Sequence, residues 1–173
     1  MIELKTQRLK LRPFRLEDAP AAHQLFGTDE DMYRYSGWNP YATVDAAEEF
    51  IKMTLEDDDP HAHSFAIEYS GRIVGNIGAY DYEEKKDSVE VGYSIEKGSW
   101  GKGFAAEALT AVLRYLTEVE GIGTVTAWCA SDNIGSRTVM ERAGMTLESI
   151  ESGGLKIGDI TYDKLNYAYR RPR

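Results

Sequence analysis

The segment from Ser88 to Ala108 constrains the fold and the chemistry of this chain more than any other stretch. Apolar and polar residues alternate over 88–95, which predicts a β-strand with one buried face. A glycine-rich turn at 100–103 follows, and a helical pattern begins near Phe104. Glycines let a ligand approach the backbone, and the N–H groups in the first turn of a helix have no partner within the helix. The segment therefore predicts a binding site for a phosphate or a pyrophosphate.

Two familiar nucleotide-binding motifs fit this turn poorly. Gly101, Gly103 and Ala106 have the spacing G-x-G-x-x-A, but a dinucleotide-binding turn follows a continuously apolar strand within a residue or two. Here the strand alternates, and residues 96–100 intervene. Lys102 lacks the upstream glycine of a triphosphate-binding loop and is followed by another glycine. A glycine turn that binds no ligand is the other interpretation left open.

The composition predicts one soluble domain that spans residues 1–173. Hydrophobic residues make up 42% of the chain and charged residues 28%, as in ordinary globular proteins. No apolar run reaches the roughly 18 residues of a membrane span, and the N-terminus lacks the apolar segment of a signal peptide. The single cysteine, Cys129, excludes an internal disulfide and fits a reducing compartment. We therefore expect a cytoplasmic protein that has no membrane partner and carries Cys129 as a buried thiol.

The formal net charge of −9 argues against a nucleic acid as partner, because phosphate binding needs a basic face. An acidic protein instead favours a cationic acceptor, such as an amine or a basic polypeptide N-terminus. Acidity that serves solubility alone is the alternative. His61 and His63 are spaced as metal ligands can be, but no third ligand is evident, so we expect no metal.

The remaining periodicities predict the element order β-α-α-β-β-β-α-β-α-β-β, with Thr43 as the N-cap of the second helix. Strands are predicted at 4–11, 63–69, 72–81, 88–95, 124–130, 146–157 and 160–169. Helices are predicted at 16–26, 44–55, from 104 to the glycines at 121 and 123, and at 134–143. Strands interleaved with amphipathic helices predict an α/β (α+β) domain in which helices cover a mixed sheet.

Three stretches of the sequence resemble the GNAT N-acetyltransferases. VEVGYSI followed by WGKGFAAEAL is similar to the acetyl-coenzyme A motif (Gln/Arg)-x-x-Gly-x-(Gly/Ala), which falls on Trp100, Gly103 and Ala105, with Trp100 in place of Gln or Arg. NIGSRTVMERAGM, which starts at Asn133, resembles the family's N-x-x-S helix and its closing Gly-(Phe/Met). The opening TQRLKLRPFRLEDA is similar to the first strand of the RimJ/RimL-like branch, which acetylates ribosomal-protein N-termini.

This resemblance implies the GNAT fold, a mixed and mostly antiparallel central sheet of about seven strands flanked by about four helices. It implies an acyltransferase that uses acetyl-CoA as co-substrate and moves the acetyl group to a primary amine by direct transfer in a ternary complex. A protein N-terminal α-amine is the favoured acceptor. A small amine such as a polyamine or an antibiotic, or a non-catalytic acyl-CoA-binding regulatory module, are the alternatives, and both a monomer and a homodimer stay open.

The chemistry of the transfer favours an α-amine. A lysine amine with a pKa near 10.4 costs about 4–5 kcal/mol to neutralise at pH 7, whereas an α-amine near 8 costs about 1–1.5 kcal/mol. One carboxylate could then serve as the base, and the resemblance assigns this role to Glu90. Many members of the family use a tyrosine as the acid at the position of Met140, which has no proton to give. The resemblance to the branch that acetylates ribosomal-protein N-termini implies Ser136 as the acid instead.

The resemblance also implies the binding residues. A bulge in strand 88–95 would separate it from the next strand, so that main-chain groups hold the pantetheine arm and polarise the thioester. Tyr33, Tyr35 and Trp38, together with Glu90, are the candidate acceptor-binding residues, since aromatic faces suit an amine. The candidate cofactor-binding residues are Tyr93, Ser94, Ile95, Trp100, Gly101, Lys102, Gly103, Phe104, Ala105, Ala106, Asn133, Ser136 and Arg137. Helix capping is the alternative role for Asn133 and Ser136.

Overall fold

A computed structural model describes residues 2–172 and contains one eight-stranded sheet. Its strands are β1 (Leu4–Lys5), β2 (Leu9–Pro13), β3 (His63–Tyr69), β4 (Arg72–Glu83), β5 (Ser88–Ile95), β6 (Thr124–Ala130), β7 (Thr146–Ile157) and β8 (Ile160–Arg170). The α-helices are α1 (Ala19–Ala22), α2 (Val44–Glu56), α3 (Phe104–Arg114) and α4 (Ile134–Arg142). The strand order is β1-β2-β3-β4-β5-β6-β8-β7, and every neighbouring pair is antiparallel except β5 and β6. The predicted α/β class and its mostly antiparallel sheet are confirmed.

The first predicted strand is in fact two strands. We predicted one strand over 4–11, but the chain turns at Thr6, and β1 and β2 pair with each other. The Thr6 hydroxyl accepts a hydrogen bond from the Leu9 N–H at 2.9 Å, and the Thr6 N–H donates to the Leu9 carbonyl at 3.0 Å. The alternation changes phase at the turn, because the half-buried Leu4 and the buried Leu9 are five positions apart, an odd number. The sheet consequently has eight strands where about seven were expected.

Helices cover both faces of the sheet. α3 packs on one face, where Leu109 and Leu113 are buried in the larger apolar core. Burying each leucine contributes about 1.5–3 kcal/mol. α1 and α2 cover the opposite face over a second core that includes Tyr41 and Ile51. Thr43 caps α2 as predicted, because its side chain accepts the Ala46 N–H at 3.0 Å.

The sheet opens between its two parallel strands. β5 and β6 pair only from Ser88 to Glu90 and from Thr124 to Thr126, and beyond Glu90 they diverge. The resemblance implied a bulge in β5, but the register shift lies in β4, between Tyr80 and Glu83. The separation is nevertheless present, and it leaves the edge of β5 after Glu90 free of a neighbouring strand on that side.

Among residues 2–172, no helix has the length and apolar character needed to cross a membrane. The cytoplasmic location inferred from the sequence stays a prediction.

Candidate active site

A cavity of about 910 Å³ fills the opening between β5 and β6. The glycine-rich turn and the start of α3 border one end of it, and the start of α4 forms a further wall. The loop at 31–36, Tyr80 and Trp128 border the cavity as well. The predicted cofactor residues that line it are Tyr93, Ser94, Ile95, Trp100, Gly101, Gly103, Phe104, Ala105, Ala106, Asn133 and Ser136. Residues that lie up to 43 positions apart in the sequence thus share one cavity wall.

The glycine-rich turn is built to receive an anion. Gly101 and Gly103 have φ angles of 76° and 79°, a left-handed conformation that favours glycine. Gly103 is the N-cap of α3 and has no side chain that could occupy the helix's first N–H groups. Trp100 fixes the turn, because its indole N–H donates to the Ile95 carbonyl at 2.7 Å. The first-turn amides and the helix dipole therefore face the cavity as donors for a negative group.

Arg8 supports this turn, a role that was not predicted from the sequence. Its Nη1 donates to the Lys102 carbonyl at 2.9 Å, and its Nε donates to Glu107 Oε2 at 2.7 Å. The Arg8 guanidinium also lies 4.8 Å from the centre of the Phe104 ring. Lys102 itself does not border the cavity. A positive residue near the turn was expected at Lys102, but the one that bonds to the turn is Arg8.

Ser136 and Tyr93 form a polar pair on the cavity wall. The Ser136 Oγ lies 3.0 Å from the Tyr93 Oη, and the phenol also donates to the Ser136 carbonyl at 3.2 Å. Asn133 caps α4, with its Oδ1 accepting the Ser136 N–H at 3.1 Å. Burial raises the pKa of Tyr93, so its phenol stays protonated at neutral pH. Tyr93 was predicted to act through its main chain, and this side-chain contact was missed.

Glu90 lies at the point where β5 and β6 separate. It is half-buried, and its Oε1 accepts the indole N–H of Trp128 at 2.9 Å. It borders a second cavity of about 250 Å³, which Glu148, Ser149 and other residues of β6, β7 and β8 line. Glu90 does not border the main cavity, but Trp128 borders both. Trp128 is thus the residue that joins the Glu90 carboxylate to the lining of the main cavity.

Of the three aromatic residues predicted to bind the acceptor, one borders the main cavity. Tyr35 borders the main cavity and packs edge-on against Tyr162, with ring centres 5.7 Å apart. Tyr33 and Trp38 do not border it, and Trp38 packs against Phe50 while 60% of its surface is exposed. Arg137, predicted to contact the cofactor, also lies outside the lining. Residues that line the cavity and were missed include Arg34, Tyr80, Trp128 and Arg142.

Three side chains with metal-binding or nucleophilic chemistry are held by protein neighbours. His61 and His63 both bond to the carboxylate of Glu120, at 3.0 and 2.5 Å. Cys129 lines the main cavity but is only 3% exposed, and burial raises the pKa of its thiol to about 11. Its buried position agrees with the sequence-based expectation.

Comparison with known proteins places these features in a family. Residues 8–146 match the family model described as Acetyltransferase (GNAT) domain. The uncharacterized N-acetyltransferase YoaA of Bacillus subtilis (strain 168) is 27% identical over 173 residues, which cover 98% of this chain and 97% of that protein.

Two solved structures have the same fold. One is the ribosomal alpha-N-protein acetyltransferase RimL in complex with coenzyme A, with a TM-score of 0.89, 20% identity and 98% coverage of both chains. The other is the microcin self-immunity acetyltransferase MccE in complex with acetyl-CoA and AMP, with a TM-score of 0.86 and 18% identity. That match covers 95% of this chain and 93% of MccE.

Proposed function

This chain belongs to the GNAT family of N-acetyltransferases, and from that premise we propose that it acetylates the α-amine at a protein N-terminus. The observation that carries the proposal is the cavity between β5 and β6. It has anion-binding amides at one end and borders Trp128, which contacts the carboxylate of Glu90. A thioester ligand with a diphosphate at its far end would extend from these amides to the point where β5 and β6 diverge. There the thioester would meet an amine that lies beside Glu90.

The residues present fit acetyl-CoA as co-substrate. Acetyl-CoA supplies the activated acetyl group. The amides of Gly101 to Ala106 would bind its pyrophosphate, and the free edge of β5 at Tyr93, Ser94 and Ile95 would hold the pantetheine arm. Main-chain donors fixed on a strand suit the developing oxyanion, because they need no rearrangement during the reaction. Asn133 borders the same cavity, whereas Lys102 and Arg137 do not, so contacts from those two cations stay a prediction.

Glu90 would accept the proton that the amine loses, and Ser136 would give a proton to the leaving thiolate. Glu90 forms no ion pair within residues 2–172, so its carboxylate is free to receive a proton from a cationic or neutral amine. The Ser136 hydroxyl is held at the cavity wall by Tyr93, at 3.0 Å. An α-amine suits a single carboxylate base, because neutralising it at pH 7 costs about 1–1.5 kcal/mol against about 4–5 for a lysine.

The choice of acceptor is argued from chemistry and from the fold neighbours. RimL, which shares the fold, is a ribosomal alpha-N-protein acetyltransferase, and this supports an N-terminal acceptor. MccE shares the same fold and is a self-immunity acetyltransferase, which keeps a small-molecule amine as the rival acceptor. Tyr35 and Arg34 on the loop at 31–36 border the cavity and are placed to select between them.

The test measures acetyl-CoA binding by calorimetry and then release of the free thiol with a panel of N-terminal peptides and small amines. We expect micromolar binding and turnover on peptides that carry a free α-amine. N-terminally blocked peptides with an internal lysine are the matched control, and they should not react at neutral pH. Turnover on small amines alone would replace the acceptor assignment, and binding without turnover on any amine would favour a non-catalytic acyl-CoA-binding module.

A further inference from the structure

We propose that Trp128 and Tyr80 are positioning residues for Glu90, which flank its carboxylate on the neighbouring strands and orient it to accept a proton. The proposal rests on the proposed function, since it takes Glu90 as the base. It concerns two aromatic residues that lie on the strands flanking Glu90 in the sheet.

Trp128 makes the direct contact. Its indole N–H donates to Glu90 Oε1 at 2.9 Å, although the two residues are 38 positions apart in the sequence. The Trp128 ring lies between the main cavity and the smaller one that Glu90 borders. An N–H bond to a carboxylate oxygen fixes the direction of that oxygen and stabilises its charged form. Trp128 thereby orients Glu90 and separates it from the main cavity.

Tyr80 lies on the other side of the carboxylate. It pairs with Glu90 across the β4–β5 ladder, and its phenol borders the main cavity. The phenol lies over Gly92: a Cβ at Gly92 would be 2.7 Å from the Tyr80 Oη, so only glycine leaves this space open. Burial of the phenol and the neighbouring charge of Glu90 raise the pKa of Tyr80, although 40% of the residue's surface is exposed. Tyr80 is therefore protonated at neutral pH and lies beside Glu90 as a neutral phenol that can donate to it.

The other charges near Glu90 are compensated or distant. Glu148 on β7 pairs with Arg170 on β8 at 2.7 Å, and Asn166 on β8 is neutral. Lys164 on β8 lies over the Trp128 ring, at 5.3 Å from its centre. The neighbours of Glu90 on β6 and β4 are thus a neutral indole, which bonds to it, and a neutral phenol rather than a cation. Neutral donors orient a base without a fixed positive charge that would repel an ammonium substrate.

The experiment removes each donor and keeps each ring. Trp128→Phe and Tyr80→Phe are compared with wild type over the pH profile of kcat/KM, with acetyl-CoA and the best acceptor. We expect the acid limb to move up by about half a pH unit to one unit in each variant, because a carboxylate that loses a donor protonates more easily. The kcat should fall about tenfold, and the KM for acetyl-CoA should stay unchanged. Tyr82→Phe is the control, since Tyr82 lies on β4 but packs against His61.

Glu90→Gln separates failure of this inference from failure of the proposed function. If Glu90→Gln keeps the wild-type rate and pH profile, Glu90 is not the base. If Glu90→Gln removes the acid limb of the pH profile while Trp128→Phe and Tyr80→Phe keep that limb at its wild-type pH, the positioning role is wrong. In the Glu90→Gln background the two phenylalanine variants should have no further effect on the profile, and a shift that persisted there would also overturn the inference.

Gly92 gives a second route that spares both aromatic residues. Gly92→Ala would push the Tyr80 phenol away from its place over β5, and we expect the same upward shift of the acid limb. Adding Tyr80→Phe removes the clashing oxygen, and the nearest ring carbon would then be 3.5 Å from the new Cβ. Stability lost in Gly92→Ala should therefore return in the double variant while the pH profile stays shifted. A wild-type profile in Gly92→Ala would contradict the role of Tyr80.

Discussion

Arg8 and Glu107 join the turn after β1 to the first turn of α3. The Arg8 backbone N–H donates to Glu107 Oε1 at 2.9 Å, and its Nε donates to Oε2 at 2.7 Å. Burial raises the pKa of Glu107, but hydrogen bonds from the Thr6 hydroxyl and from Arg8 outweigh it and leave the pKa below its usual value. The carboxylate therefore stays charged and anchors the helix end whose amides face the cavity.

Removing this anchor should weaken acetyl-CoA binding more than it weakens the fold. Arg8→Ala loses the bonds to Glu107 and to the Lys102 carbonyl, and we expect the acetyl-CoA dissociation constant to rise about fivefold, equivalent to about 1 kcal/mol. The side chain is 41% exposed, so the loss of stability should also stay near 1 kcal/mol or below. Calorimetry and urea unfolding measure the two effects. Lys10→Ala is the control, because it breaks only the exposed ion pair with Glu3 and should leave acetyl-CoA binding unchanged. Equal acetyl-CoA binding by Arg8→Ala and wild type would contradict the anchoring role of Arg8.

The glycine turn offers a test with a control five residues away. Gly103 has a φ of 79°, so Gly103→Ala places a side chain in a left-handed conformation at a cost of about 1–2 kcal/mol. The new Cβ would also stand 3.5 Å from Arg8 Nη2. We expect weaker acetyl-CoA binding, with a larger loss for Gly103→Val. Gly98→Ala is the control, because nothing lies within 4 Å of its Cβ position and its φ is not in the left-handed region.

Periodicity in the sequence predicted most elements of the fold, because each strand or helix carries its own buried face. The bounds of β3 and of β6 were predicted without error. The split at Thr6 was missed, although the alternation changes phase between Leu4 and Leu9. The Thr6 side chain at the turn bonds to Leu9 and to Glu107, and the contact with Glu107 is not encoded in the local pattern.

The site residues that belong to a local sequence motif were predicted. The contacts that depend on the order of the strands in the sheet were missed. The glycine turn and the Asn133–Ser136 cap lie within short segments, and both border the cavity. The contact between Glu90 and Trp128 requires β5 and β6 to be neighbours, which no local pattern in either strand encodes. The aromatic residues predicted to bind the acceptor show the opposite error, since Trp38 packs against Phe50 and does not border the cavity.

The pH dependence of stability should reflect a buried ion pair at the start of α1. Arg12 donates to both carboxylate oxygens of Asp18, at 2.7 and 3.0 Å, and its Nε donates to Glu68 at 2.7 Å. Burial raises the pKa of Asp18, but the bonds from Arg12 and from the Arg15 N–H outweigh it, and the pKa lies below its usual value. The stability that this carboxylate contributes is therefore complete above its unfolded pKa near 3.9 and is lost as the pH falls through the lower folded pKa.

Asp18→Asn tests this directly. We expect it to lower the free energy of unfolding by about 2–4 kcal/mol at pH 7, because Arg12 stays buried without one of its two carboxylates. The difference from wild type should shrink as the pH falls below about 4, since the Asp18 carboxyl is then protonated in the unfolded wild type and, at lower pH, in the folded one as well. Urea unfolding at several pH values measures it. Glu17→Gln, at an exposed neighbouring position, is the control and should unfold as wild type does. A loss of unfolding free energy in Asp18→Asn that stayed constant down to pH 2 would contradict the role of the Asp18 carboxylate.

The single thiol reports on the cavity without altering it. Burial raises the pKa of Cys129 to about 11, so at pH 8 about one molecule in a thousand carries the reactive thiolate. Alkylation by iodoacetamide should therefore be about a hundredfold slower or more than for a free cysteine, and its rate should rise about tenfold per pH unit while the fold persists. Because Cys129 borders the main cavity, saturating acetyl-CoA should slow labelling further. Mass spectrometry follows the reaction, with Cys129→Ala as the unlabelled control. Labelling that acetyl-CoA leaves unchanged would show that the ligand binds away from the divergence of β5 and β6.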